Sequence, residues 1–143
     1  MHELHGYYLE DLEVGMTARY AKTVTEADVV LFAGVSGDDN PVHINAEYAE
    51  QTVFGQRIVH GMFSAALISA VLGTRMPGPG AIYVDQQLKF KAPVHIGDTV
   101  VATATVLEIN EARRRVVLET VCTVRGRVVA AGVATNMVDR RPI

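Results

Sequence analysis

The sequence predicts an α+β fold, a curved antiparallel β-sheet of about five strands wrapped around a central apolar α-helix. Three observations lead there. The segment Gly61-Met62-Phe63-Ser64-Ala65-Ala66-Leu67-Ile68-Ser69-Ala70-Val71-Leu72 is apolar nearly all round, the pattern of a helix enclosed by other structure. Four stretches carrying β-branched residues with partial alternation follow it in succession. Their connections are short, and short connections join antiparallel neighbours rather than parallel ones.

Taken in order, residues 16–24 predict a first strand. Thr25-Glu26-Ala27-Asp28 then reads as a helix start, with the threonine able to cap free amides. Val29, Leu31, Phe32 and Val35 load one broad side of the short helix that follows. Ser36 to His43 is expected to be a loop, Ala46 to Gln51 a helical turn, and Thr52 to Arg57 irregular chain. The apolar helix is expected to close at Gly73, a residue type that stops helices. Beyond the loop Pro77-Gly78-Pro79-Gly80, strands are predicted at 81–91, 99–109, 115–125 and 127–138. Gly97-Asp98, Asn110-Glu111-Ala112 and Arg125-Gly126-Arg127 mark the turns between them.

A chain of 143 residues suits one domain, expected to span residues 1–143. Its 49% hydrophobic and 20% charged residues are the balance of a soluble globular protein, and no apolar run is long enough to predict a membrane span. The start Met1-His2-Glu3-Leu4-His5 lacks the basic residues and apolar run of a secretory signal, so a cytoplasmic location is expected. The single Cys122 agrees with a reducing compartment, and its strand-face neighbours Val116, Leu118, Thr120 and Val124 make it an inert core thiol. A net charge of -3 gives no broad electrostatic reason to bind nucleic acid. The Arg113-Arg114-Arg115 run and the Arg140-Arg141 tail read as a solvated turn and terminus. His2 and His5 have metal-ligand spacing, but no further cluster completes a site, and a mobile terminus is expected there. Gly78-Pro79-Gly80 leads into a strand rather than a helix, which removes the reason to read a phosphate cradle. Neither a metal nor a dinucleotide is expected.

The chemistry concentrates in Ser36-Gly37-Asp38-Asp39-Asn40-Pro41-Val42-His43. A turn needs Gly, Asn or Pro for its backbone, but not a histidine at a set distance from an aspartate. Pro41 fixes one backbone angle between Asp38 and His43, so the two side chains can converge on one small volume. A carboxylate can then hold and deprotonate a water while an imidazole gives or takes a proton on the neighbouring atom. The competing reading makes Asp38 and Asn40 Asx-turn residues and His43 a satisfied surface group. A second constellation, Val59-His60-Gly61-Met62, stands at the mouth of the apolar helix, where free amides point at a polarised carbonyl. Gly61 N–H is placed to hold a thioester or ester oxygen as negative charge develops. The competing reading is a glycine needed only for helix entry, with His60 hydrogen-bonded in the core.

Both constellations, with Phe90-Lys91-Ala92-Pro93-Val94-His95-Ile96-Gly97-Asp98 downstream, resemble the MaoC-like hotdog proteins, specifically the (R)-specific enoyl-CoA hydratases. The resemblance runs from about Gly15 to Val138 and rests on the motif Gly-Asp-x-Asn-Pro-x-His. It implies a hotdog fold and reversible hydration of a trans-2-enoyl-CoA to the (R)-3-hydroxyacyl-CoA. Asp38 and His43 are implied as the catalytic pair, Asn40 as shaping their loop, and Gly61 N–H as the oxyanion donor. Ser69 is implied to support the site by hydrogen bonding, with His60 beside it at the helix mouth. Asp39 falls at the variable position and is given no role. Met62, Phe63 and Ala66 would line an acyl tunnel, or else belong to the core. The resemblance also implies a homodimer joined edge to edge and no cofactor, coenzyme A being part of the substrate. The nearest rival is a 3-hydroxyacyl dehydratase acting on acyl carrier protein, which runs the same step in reverse. A hotdog acyl-CoA thioesterase is disfavoured because such enzymes generally carry a carboxylate on the central helix, and residues 62–72 hold none. A non-enzymatic acyl-CoA binding partner would be expected to lose the Asp or the His, and this chain keeps both.

Overall fold

Along Arg115–Val124 the inward residues Val116, Leu118, Thr120, Cys122 and Val124 are buried and alternate with more exposed ones. A period of two gives a strand one packed face. The computed structural model describes residues 2–143 and places this strand centrally in a five-stranded antiparallel sheet. The elements are β1 (Thr17–Thr23), α1 (Glu26–Ser36), α2 (Pro41–Ile44), α3 (Ala46–Glu50), α4 (Gly61–Thr74), β2 (Ile82–Phe90), β3 (Thr99–Asn110), β4 (Arg115–Val124) and β5 (Arg127–Met137). Their order in the sheet is β1-β3-β4-β5-β2, which leaves β1 and β2 as edges. Register shifts interrupt the pairs β2/β5, β3/β4 and β4/β5. Such bulges bend strands and increase their twist, and here they accompany a sheet whose five strands all touch α4.

The helix and the sheet bury one another. Leu67, Ile68, Val71 and Leu72 on α4 meet Val100, Ala102, Ala104 and Val106 on β3 and Val116 and Leu118 on β4. Each large apolar side chain removed from water in this way contributes roughly 1.5–3 kcal/mol. Enclosure is one-sided, however. Met62, Ala66, Ser69 and Gly73 form a stripe at helical spacing that stays exposed, so the apolar α4 is not covered all round. No described helix is long and apolar enough to cross a membrane.

The structure corrects several expectations. The helix continues past Gly73 to Thr74, because Gly73 is not among the positive-φ glycines and the chain turns only at Arg75. On α1 the buried residues are Val29 and Ala33, with Phe32 partly buried, while Leu31 and Val35 face outward. Residues one turn apart share a face, and Leu31 and Val35 lie on the wrong one. The cap at Thr25 forms as expected, with its hydroxyl accepting from Asp28 N and Asp28 answering to Thr25 N. The connection between β2 and β3 is short, yet the two strands are not neighbours. It crosses the end of the sheet, held by Lys91 N donating to Val129 O and Gly97 N donating to Val24 O.

The N-terminal segment is held rather than loose. The His5 ring stacks on Tyr8 and its Nε2 lies 3.4 Å from Asp139 Oδ2, while Gly6 N donates to Pro79 O. Met1 and the side chain of His2 lie outside the described residues. Arg114 and Arg141 pair with Asp139 and Asp11. Cys122 sits in the core with its thiol pushed up to about 12 by burial, which disfavours the reactive thiolate.

Asp98 pins the β2–β3 crossing. Its carboxylate accepts from His95 N at 2.9 Å and from Arg125 Nη1 at 3.1 Å, and it is only 8% exposed. Burial raises its pKa, but the His95 amide and the Arg125 guanidinium outweigh that effect and hold it below the ordinary carboxylate value. A depressed folded-state pKa contributes stability that is complete above about pH 4 and disappears as pH falls through the folded value. We expect Asp98→Asn to lose about 1–3 kcal/mol at pH 7, with the gap to wild type closing in acid. Urea melts at neutral and acid pH measure it, and equal stability at pH 7 would refute the assignment.

Candidate active site

Helix α1 ends on Gly37, whose φ of 80° is the left-handed conformation that a glycine C-cap supplies. The chain then turns sharply. Ser36 Oγ donates to Phe32 O and accepts from Asp38 N, so Asp38 leaves the helix end in a fixed direction. Asn40 Oδ1 accepts from Val42 N, and Pro41 occupies the first helical position. Cap and proline together make Pro41–Ile44 a one-turn helix where a continuous loop was expected, and His43 is its buried residue. Asn40 therefore shapes the segment as a helix cap.

The two side chains converge. His43 Nε2 stands 3.8 Å from Asp38 Oδ2, beyond direct hydrogen-bond range but within the span of one bridging water. The opposite ring nitrogen settles the tautomer. His43 Nδ1 lies 2.8 Å from Ile58 O, and a carbonyl only accepts, so Nδ1 carries the proton and neutral His43 offers a bare Nε2 toward Asp38. His60 runs the other way: its Nε2–H donates to Asp38 O at 2.8 Å, and its buried Nδ1 has no partner among the described residues. The two imidazoles stack with centroids 3.8 Å apart and planes at 26°. His60 thus holds the Asp38 backbone with one atom and the His43 ring with its face.

Asp38, His43 and His60 bring donor atoms within 4.8 Å of one another. Stacked rings direct their lone pairs along nearly parallel planes rather than at one point, and His60 Nε2 is already spent. The trio suits proton transfer better than tetrahedral chelation.

Gly61 opens α4, so its amide belongs to the first turn, which has no carbonyl partner within the helix. A Cβ at Gly61 would meet the Phe90 ring at 2.9 Å, which is the close approach that requires glycine here. A cavity of about 510 Å³ opens before this amide, lined by Asp38, Phe54, His60, Gly61, Met62 and Phe90 among others. A second, apolar groove of about 450 Å³ is lined by Phe32, Met62, Ala66, Ser69, Tyr83 and Gln86 among others. Met62 borders both.

The structure gathers Asp38, His43, His60 and Gly61 into one place, with Met62 at its edge. Ser69 is not among them. It lies about 12 Å farther along α4, on the wall of the second groove. Phe63 is buried in the core, edge-on to Phe32, and lines neither cavity. Asp39 is exposed, and its amide donates to Gly37 O. Two participants carried no signal in the sequence: Phe54, which shares the cavity wall with Phe90, and Arg57, whose Nε donates to His43 O at 2.6 Å. An isolated Arg in irregular chain announces nothing until the fold shows what it reaches.

Residues 11–128 match the model of the MaoC like domain. The chain is 58% identical over 135 residues to an (R)-specific enoyl-CoA hydratase of Rhodospirillum rubrum, covering 94% of each. It is 49% identical over 139 residues to a 3-hydroxybutyryl-CoA dehydratase of Methylorubrum extorquens, covering 97% of this chain and 88% of that one. Its structure superposes on the unliganded R-hydratase PhaJ1 of Pseudomonas aeruginosa with a TM-score of 0.90 at 44% identity, over 95% of this chain and 88% of that one.

The hydrogen-bond partners fix a pattern that can be measured without substrate. At a pH where both rings are neutral, long-range proton–nitrogen correlation spectra are expected to show His43 protonated on Nδ1 and His60 on Nε2. Either ring in the opposite tautomer would contradict the site as described.

Proposed function

The chain belongs to the MaoC-like domain family, and from that premise we propose that it reversibly hydrates trans-2-enoyl-CoA to (R)-3-hydroxyacyl-CoA. One observation carries the reading. Asp38 lines the same cavity as Gly61, the first residue of α4, and its Oδ2 lies 3.8 Å from His43 Nε2, which is an acceptor in the neutral Nδ1–H ring. A single water can donate one hydrogen to each, which leaves its lone pairs aimed away from the protein toward a bound substrate.

The steps balance on these groups. Water oxygen bonds to C3 as the C2–C3 π electrons move toward the thioester, and the Asp38/His43 pair takes one proton from it. The resulting enolate oxygen is held by Gly61 N–H, where the amides of α4 add their dipole. The pair then returns one proton to C2, giving the hydroxyacyl thioester. Asp38 and His43 act as one coupled unit that accepts and donates the same count of protons. A positioned acid or base is worth about 10²- to 10⁴-fold, and an oxyanion donor about 10²- to 10³-fold. The reaction calls on no metal or redox cofactor, because pair and amide between them supply base, acid and oxyanion donor.

Coenzyme A as the carrier is supported by the names of the two relatives above, and turnover of one enoyl chain on both carriers separates it from a carrier-protein dehydratase. A cytoplasmic location is part of the same proposal, in keeping with a single buried thiol.

The proposal includes a homodimer. The exposed stripe of α4 and the unpaired edge of β2, whose Ile82, Tyr83, Val84 and Phe90 are all exposed, are features that a second copy would cover. We expect light scattering at micromolar concentration to give twice the chain mass, and a monomer would count against it.

The decisive assay follows loss of the conjugated enoyl-thioester absorbance on crotonyl-CoA, with product stereochemistry. Asp38→Asn and His43→Ala are each expected to lose at least about 10²-fold in kcat, while Asp39→Asn stays near wild type. Normal rates in Asp38→Asn would end the assignment.

A further inference from the structure

Helix α2, which carries His43, is four residues long. One turn is below the length at which a helix supports itself, so the position of the His43 ring is set by whatever holds the turn from outside. Two consecutive residues do so. Ile58 O accepts from His43 Nδ1 at 2.8 Å, and Ile58 N donates to Val42 O at 3.2 Å. Arg57 Nε donates to the His43 carbonyl at 2.6 Å. The guanidinium then reaches across to α1, where Nη1 lies 3.0 and 2.8 Å from the two carboxylate oxygens of Glu26. Glu26 sits in the first turn of α1, where the helix dipole favours an anion.

These contacts close a circuit. The end of α1 delivers Asp38, and its start, through Glu26 and Arg57, holds His43. A rigid helix of 11 residues therefore spans the route between the two groups whose separation matters. The Arg57 side chain is directed inward, with Nη2 buried and without a partner among the described residues. It does not line the cavity that holds Asp38 and Gly61.

We propose that Arg57, braced by Glu26, is a positioning residue that fixes His43 relative to Asp38. The inference rests on the hydratase reading for its kinetic test but not for its structural one. A misplacement of about 1 Å at a reacting group can cost about 10²-fold, so the brace is expected to act on kcat and leave KM nearly alone.

The test compares wild type with Arg57→Ala, Arg57→Lys and Glu26→Gln, by crotonyl-CoA kinetics and by the His43 Nδ1–H resonance. We expect Arg57→Ala to lose roughly 10- to 100-fold in kcat with KM changed less than about threefold. Arg57→Lys should keep more activity than Arg57→Ala, because an ammonium can still reach one of the two partners. Glu26→Gln should lose less than either. The His43 Nδ1–H signal should broaden or exchange faster in Arg57→Ala. A raised KM with kcat preserved would show that Arg57 meets the substrate and would overturn the proposal. So would unchanged kcat together with an unchanged His43 signal. If Arg57→Ala fails to fold, Arg57→Lys and Glu26→Gln carry the same readouts. If wild type does not hydrate crotonyl-CoA, the hydratase reading fails, and the His43 signal alone then decides the brace.

Discussion

A helix that is apolar nearly all round needs cover, and the cover that the sheet gives one side of α4 organises the rest of the molecule. The sheet supplies it by bending round α4, with bulges in three of its strand pairs and with small Ala102 and Ala104 on β3 facing the helix. Burial runs along one side of α4 from Phe63 to Leu72, and the helix N-terminus emerges beside Phe90. A first-turn amide is thereby brought to a cavity wall without leaving the framework that holds it. Rigid scaffold and reactive margin belong to the same helix.

The electrostatics of the site depend on how few partners it has. His60 spends one nitrogen on the Asp38 carbonyl, and its buried Nδ1 meets no partner among the described residues. Its ring lays a flat aromatic face against His43 and holds the backbone under Asp38. His43, with its Nδ1–H tied to Ile58 O, cannot flip to the other tautomer without breaking a bond, so its reactive nitrogen is chosen by the backbone. Asp38 is the exposed member of the group and takes its direction from Ser36 and Asn40 rather than from burial.

Much of the fold was legible because its signals are local. Periodicity of two located β3, β4 and β5, and the apolar run located α4 to within a few residues. Order within the sheet was not legible. The crossing between β2 and β3 depends on curvature, which no single segment encodes. The motif around Asp38 and His43 was readable as chemistry, since a turn does not need a histidine at a set distance from an aspartate, but its short helix was hidden behind the proline and asparagine that usually mean a turn. Helix α4 shows the limit of periodicity: an amphipathic argument cannot choose a face when every face is apolar, and only the sheet decides which is inward. Arg57 was invisible for the opposite reason, its partners lying far off in sequence on α1 and α2.

Among the described residues Met62 is the one that borders both the cavity at Gly61 and the groove along α4. A thioether side chain is unbranched and turns about three bonds, so this partition is soft in a way that a valine or phenylalanine would not be. Exchange of that one side chain would redraw the boundary between cavity and groove and leave the Asp38 and His43 pair behind it untouched.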